Sequence, residues 1–381
     1  MNRRTMLIRV AAGLSVAAAL VFTVTAAGTG TASLVSGKAQ LMSAGPLAFG
    51  PDGVLFVGDS IGGAVVALDT NDHTAPKGAV KIDVDGVDAK IAALAGVTPD
   101  QIVINDLKVN PISRNVYLSA SRGKGPDAMP LIARVDSKGD VSLLSLDKIP
   151  NASVSLTDAP AANPTARQNP RMMTITDMSY VNGNVMVAGL SNEEWSSALR
   201  SIPFPFKTAE QGATLQIWHA SHGRYETQSP VRTFVPYTIS GQQYILAAYT
   251  CTPLVKIPVS DLKPGAKVKG VTIADLGSGN QPLGMVPYKK DGHEYILVAN
   301  TSLGLLKLKA DNLETYKPID SPTVTNVAGV PYDTLSNKNV QQLAKLDDAN
   351  AVILTGKPGS GPAFNPGPAV GPLNISTIAL P

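Results

Sequence analysis

Val235-Pro236-Tyr237-Thr238-Ile239-Ser240-Gly241-Gln242-Gln243-Tyr244-Ile245-Leu246-Ala247-Ala248 returns 51 residues later as Val286-Pro287-Tyr288-Lys289-Lys290-Asp291-Gly292-His293-Glu294-Tyr295-Ile296-Leu297-Val298-Ala299. Read on from Val235 to Lys256 against Val286 to Lys307, 11 of 22 positions are identical. A weaker echo is Gly329-Val330-Pro331-Tyr332-Asp333. Self-similarity at a period of about 40–50 residues, built from short β-rich runs, predicts a β-propeller.

Working outward, the same phrase of apolar strand, turn and second strand is found earlier. Pro46-Leu47-Ala48-Phe49-Gly50-Pro51-Asp52-Gly53-Val54-Leu55-Phe56-Val57-Gly58-Asp59 opens the series. Its Pro51-Asp52-Gly53 is a turn, because Pro presets φ and Gly accepts a positive one. A second blade begins at Asn105-Asp106-Leu107-Lys108-Val109, and a third at Thr176-Asp177-Met178-Ser179-Tyr180, turning at Asn182-Gly183-Asn184. The two near-copies are the fourth and fifth. The sixth is expected from Val327, taking in Ala351–Leu354. With Phe49, Val109, Tyr180, Val235, Val286 and Val330 as equivalent points, the excess length falls in 73–100, 150–168 and 191–212, which read as loops. Short helices are expected at Asp88–Leu94 and Asn339–Lys345. Thr31–Met42 and Leu373–Leu380 either form a seventh blade or, as the preferred reading, meet and close the ring so that no sheet edge is exposed.

Residues 1–26 read as an export signal. Arg3, Arg4 and Arg9 precede an uncharged apolar run, and Val24-Thr25-Ala26 supplies small residues for cleavage. The alternative is an uncleaved anchor of borderline spanning length. Asn2-Arg3-Arg4-Thr5-Met6-Leu7-Ile8 also resembles a twin-arginine signal. Removing the leader removes three Arg and no acid, so the formal net charge of +3 falls to zero. A neutral chain with scattered charge has no footprint for nucleic acid and no polybasic membrane patch. One cysteine, Cys251, excludes a disulfide scaffold, a Cys-x-x-Cys metal site and c-type haem attachment. The expectation is a single monomeric propeller over residues 27–381, periplasmic or secreted.

The Pro46–Asp59 pattern resembles blades of the NHL-repeat and gluconolactonase-type propellers. The resemblance is clear in the first blade, fair in the next two and faint beyond. It implies six four-stranded antiparallel blades around a central channel. It does not imply an activity, since such folds host binding proteins and enzymes alike.

In a propeller the ends of the innermost strands crowd the axis, so polar pairs preceding them converge: Asn105-Asp106, Thr176-Asp177, Gln281-Pro282 and Thr325-Asn326. Carboxylates and amides ringing a channel suit a hard cation such as Ca²⁺. Gluconolactonase-type propellers hold a divalent metal there through Glu, Asn and Asp, and that resemblance implies Asn105, Asp106 and Asp177 as metal ligands. The family's first-blade Glu would fall near Ser43 or Ala44, which are not acids. The alternative is that these side chains bond the blade-entry turns.

Two further groups carry chemistry. Trp218-His219-Ala220-Ser221-His222-Gly223-Arg224-Tyr225-Glu226 holds an acid–base and anion-binding set, or else ion pairs at a blade junction. His219 and His222 can share a metal only on a helical segment. The Ser, Gly and adjoining strand argue against one, and no third soft ligand is near in sequence. Cys251 stands where the sister blade has Ser302, which suggests packing. The insertion Ser191-Asn192-Glu193-Glu194-Trp195 offers an aromatic wall and carboxylates over the channel mouth, or packs onto the disc.

Two functions follow, with a quinone-cofactor or redox enzyme as a third reading that the absence of haem and cysteine signals weakens. One is an exported propeller that binds a small-molecule ligand or periplasmic protein at its loop-bearing face without catalysis, through Asp59, Asn192, Trp195, Arg224 and Glu226. The other is a metal-assisted lactonase or esterase at the channel, with His222 or Glu193 as base.

Overall fold

A computed structural model describes residues 30–163, 165, 169–323 and 327–381; the leader and Thr325-Asn326 lie outside them. The described chain is all-β, with six small sheets arranged as the blades of a propeller. Numbered by their innermost strands, the blades are 1 (Leu47–Phe49), 2 (Ile102–Val109), 3 (Asp177–Val181), 4 (Thr233–Ile239), 5 (Pro282–Lys290) and 6 (Val340–Lys345). Pairing is antiparallel throughout, save where Lys267–Lys269 runs parallel to Ala213–His219 on the outside of blade 3.

The repeat is legible in the hairpins. In blades 4 and 5 Tyr237 faces Tyr244 and Tyr288 faces Tyr295 across the first pair of strands. Ser240-Gly241, Asp291-Gly292 and Asn182-Gly183 all have positive φ at both turn positions, the twist that joins two strands with two residues.

The blades do not follow one another around the ring in chain order. Inner strands neighbour each other in the sequence 1-3-4-5-6-2 and back to 1. Each of the six junctions has its own apolar core. Phe56, Val65, Val185 and Ile202 fill the junction of 1 and 3, while Leu47, Leu55, Tyr117 and Ile132 fill that of 1 and 2. Leu107, Leu118, Val352 and Leu354 join 2 to 6, with helix α1 (Val87–Ala95) against them.

Blade 2 is thus an insertion that plugs the gap between blades 6 and 1. After Ala64–Asp69 of blade 1 the chain crosses to the outer edge of blade 6, where Val84 bridges Ile375 and Ile82 N donates to Thr377 Oγ1. It then forms α1 and blade 2, and returns as Ile149–Ser155 to supply the fourth strand of blade 1. Buried Asp72 fixes the departure point, accepting from Ser113 Oγ at 2.7 Å and Tyr117 OH at 2.9 Å.

Several expectations are therefore corrected. The chain ends do not meet: Val35–Gly37 edges blade 1 against Ile149–Ser155, and Val370–Ala379 is the third strand of blade 6. Within the stretches read as loops, Val84 makes an isolated bridge to blade 6, and residues 150–155 belong to the strand Ile149–Ser155 that closes blade 1. The 191–212 stretch holds Ser197–Pro203, the third strand of blade 3. Val327–Gly329 and Tyr332–Thr334 are outer strands of blades 4 and 5, so the third echo is not a blade entry. The expected helix at Asn339–Lys345 is instead the strand Val340–Lys345. A bulge between Val340 and Gln342 shifts its alternation and gives Val340, Leu343 and Ala344 a helix-like spacing.

Candidate functional site

Asp106 and Asp177 do converge on the axis, and Lys108 stands between them. Asp106 and Lys108 are two apart on one strand and so share a face. Lys108 Nζ lies 3.8 Å from Asp106 Oδ2 and 3.7 Å from Asp177 Oδ1. Their other hydrogen bonds come from backbone amides and one hydroxyl. Asp106 accepts from Leu47 N of blade 1 and Leu107 N, both at 2.7 Å. Asp177 accepts from Met178 N, and from Phe234 N and Thr233 Oγ1 of blade 4 at 2.9 Å. Each carboxylate staples its own blade to a neighbour. Burial pushes the Asp106 carboxyl up to about 6, with Lys108 pulling it down and Asp177 pushing it up. For Lys108, burial works against the charge, but the two carboxylates outweigh it and raise its pKa. Asn105, the third expected ligand, is exposed and donates its amide to Ala44 O.

Lys108 divides the channel. On the hairpin side is a hollow of about 320 Å³ with Phe49, Met285 and Pro287 in its wall. On the loop side is a polar mouth of about 140 Å³ bordered by Thr176, Arg232, Gln281 and Gln342. Arg232 has no carboxylate partner among the described residues, and burial pulls its pKa down to about 10.

The second cluster lies at the junction of blades 3 and 4. The fourth strand of blade 3, Ala213–His219, ends in a 3₁₀ turn, Ala220–His222, closed by Gly223 at φ 61°. That single turn sets the His219 and His222 rings 3.9 Å apart. Glu226 orients both: its oxygens lie 2.7 Å from His219 Nδ1 and 2.7 Å from His222 Nδ1, and it also accepts from Arg224 Nε and Ser229 Oγ. Cys251 comes in from blade 4, its ligating atom and those of the two histidines all within 4.8 Å of one another. The objection drawn from sequence fails twice, since a short helical turn does form and a soft ligand arrives from another blade.

The path of the Cys251 turn follows from one substitution between the sister blades. Blade 5 turns on Gly304 at φ 76°; blade 4 has Pro253 at that place, which cannot take positive φ. The left-handed residues move back to Cys251 (φ 59°) and Thr252 (φ 47°). Cys251 N to Asn280 O at 2.7 Å and Thr252 Oγ1 to Gly277 O hold them. The Cys251 sulfur and the Glu226 carboxylate outweigh burial and raise His219 to about 9, while His219 lowers the thiol.

The other expected residues are dispersed. Asp59 is buried and filled by Met42 N, Ser43 N, Ser43 Oγ and Gly62 N. Asn192 is exposed, with its backbone N bonded to Asp158 O. Trp195 is half-buried under Lys267, which pairs with Glu194. Glu193 is half-buried beside them. Arg200 was not singled out from sequence; fully buried, it pairs with Asp158 at 2.7 Å beneath this loop.

No family model and no curated protein matches the sequence. Among solved structures, the chain is similar to a putative glucose dehydrogenase of Thermus thermophilus. Identity is 11%, over 91% of this chain and 100% of that one, with a TM-score of 0.35. It is similar to the PQQ-bound aldose sugar dehydrogenase of Streptomyces coelicolor at 12% identity, over 91% and 97%, with a TM-score of 0.33. An engineered GH43 glycoside hydrolase gives 11% identity, over 74% and 51%, at 0.37. Likeness at this level assigns no activity, and the resemblance to NHL-repeat and gluconolactonase-type propellers stands at the six-bladed fold.

Proposed function

We propose that this chain is an exported propeller that binds, without chemistry of its own, a small molecule through an anionic group seated in the loop-side mouth of the channel. The observation that carries the reading is Arg232, whose guanidinium borders that mouth without a counter-ion among the described residues. A half-buried arginine usually finds a partner, and its planar fork matches a carboxylate or phosphate. Gln281 adds amide donors beside it. A mouth of about 140 Å³ admits the charged group alone, leaving the body of the ligand on the loop-bearing face. The two axial carboxylates line the same mouth but are engaged by Lys108 and backbone amides, so they serve as a strut.

Calorimetry and thermal shift with inorganic phosphate, succinate and a neutral sugar test this. The anions are expected to bind saturably and raise Tm, the sugar to do neither, and Arg232→Gln to weaken anion binding at least about tenfold. Turnover of aryl or sugar lactones that vanishes in Asp106→Asn or Asp177→Asn would replace this reading with the metal-assisted hydrolase.

A further inference from the structure

We infer that His219, His222 and Cys251 form a transition-metal site, suited first to Zn²⁺, that clamps blade 3 to blade 4. Two imidazoles and one thiol from two blades place their ligating atoms within 4.8 Å of one another. In a tetrahedral site with bonds of about 2.0–2.3 Å, such atoms stand roughly 3.3–3.8 Å apart, so closure needs at most about 1.5 Å. Both Nδ1 atoms are engaged by Glu226, which leaves Nε2 of each ring for a metal. A carboxylate behind the ligating histidines is the usual outer shell of such a centre, fixing tautomer and ring orientation.

Unspent polar atoms point the same way. His219 is buried to 1% exposure and its Nε2 has no partner. Asp275, fully buried on the strand beside the Cys251 turn, also has an Oδ2 with no partner. Buried polar atoms are ordinarily satisfied, and two unsatisfied ones beside a His₂Cys set call for a ligand. Three protein ligands leave the fourth position to water. The half-exposed edge of His222 gives the ion its way in. On binding, the Cys251 S–H bond breaks, sulfur keeps the electron pair for the metal, and the proton leaves to solvent.

This inference is independent of the anion-binding reading, which uses a different mouth and different residues. The test is optical titration of the full-length mature protein with Co²⁺ after chelator treatment, followed by displacement with Zn²⁺. Saturation at one ion per chain is expected, with a near-ultraviolet thiolate-to-cobalt band and tetrahedral visible bands that Zn²⁺ abolishes. Cys251→Ser should remove the thiolate band, and His222→Gln should weaken binding about tenfold or more. Circular dichroism establishes that each variant is folded, and half-exposed His222 keeps the test open if a buried substitution unfolds the chain. No saturable Co²⁺ binding, or a spectrum unchanged by both Cys251→Ser and His222→Gln, would overturn it.

Discussion

The axial cluster and the blade 3–4 cluster are both assemblies of charged side chains from different blades, yet they end in opposite states. At the axis, Asp106 and Asp177 find a cation within the chain, and backbone amides and one hydroxyl supply their other hydrogen bonds. At the blade junction, Glu226 is satisfied four times over, while His219 Nε2 and Asp275 Oδ2 are buried with nothing to bond. Convergence of carboxylates or imidazoles is common to a strut and a ligand site. What separates them is whether the protein spends every donor and acceptor on itself.

Substitutions should break the two clusters differently. The largest effect is expected from Lys108→Met, which strands two carboxylates at the axis. Removing one partner of a buried ion pair costs about 3–5 kcal/mol, and with Lys108 partly solvated the lower end applies; urea denaturation measures it. Asp177→Ala should cost about 2 kcal/mol through the lost bonds to Met178, Thr233 and Phe234, and Asp177→Asn less because an amide oxygen still accepts. Arg232→Gln runs the other way, leaving stability unchanged or raising it by up to about 1 kcal/mol, because it relieves an unpaired, half-buried charge. Cys251→Ser in metal-free protein should move stability by less than about 0.5 kcal/mol.

The axial pair also has a signature in pH. The folded pKa of Asp106, about 6, lies above its ordinary 3.8, so the folded state holds that proton more tightly than the unfolded state. The contribution of this group to stability therefore declines as pH rises from 4 to 6 and is level above that. The difference in unfolding free energy between wild type and Asp106→Asn, followed across that range, should display the slope.

How far the sequence could be read depends on distance along the chain. The hairpins were legible because turn and alternation are local, as in Asn182-Gly183 and the two tyrosine-paired copies. Blade order was not. Nothing local in Ile82-Asp83-Val84 says that it edges a blade whose strands lie more than 250 residues away. The axial convergence of Asp106 and Asp177 followed from their repeat positions, and Lys108 was readable two residues on from Asp106 had strand periodicity been applied to it. Cys251 was compared with Ser302 at the level of residue type. The telling difference lay two places further, where Pro253 replaces Gly304 and redirects the turn.

Metal content of three purified proteins bears most directly on the contrast drawn here. Wild type, Cys251→Ser and Asp106→Asn, loaded with Zn²⁺ and desalted, would be compared by elemental analysis. The account predicts one zinc per chain in wild type and Asp106→Asn, and none in Cys251→Ser. Zinc retained by Cys251→Ser and lost from Asp106→Asn would place the cation at the axis and contradict it.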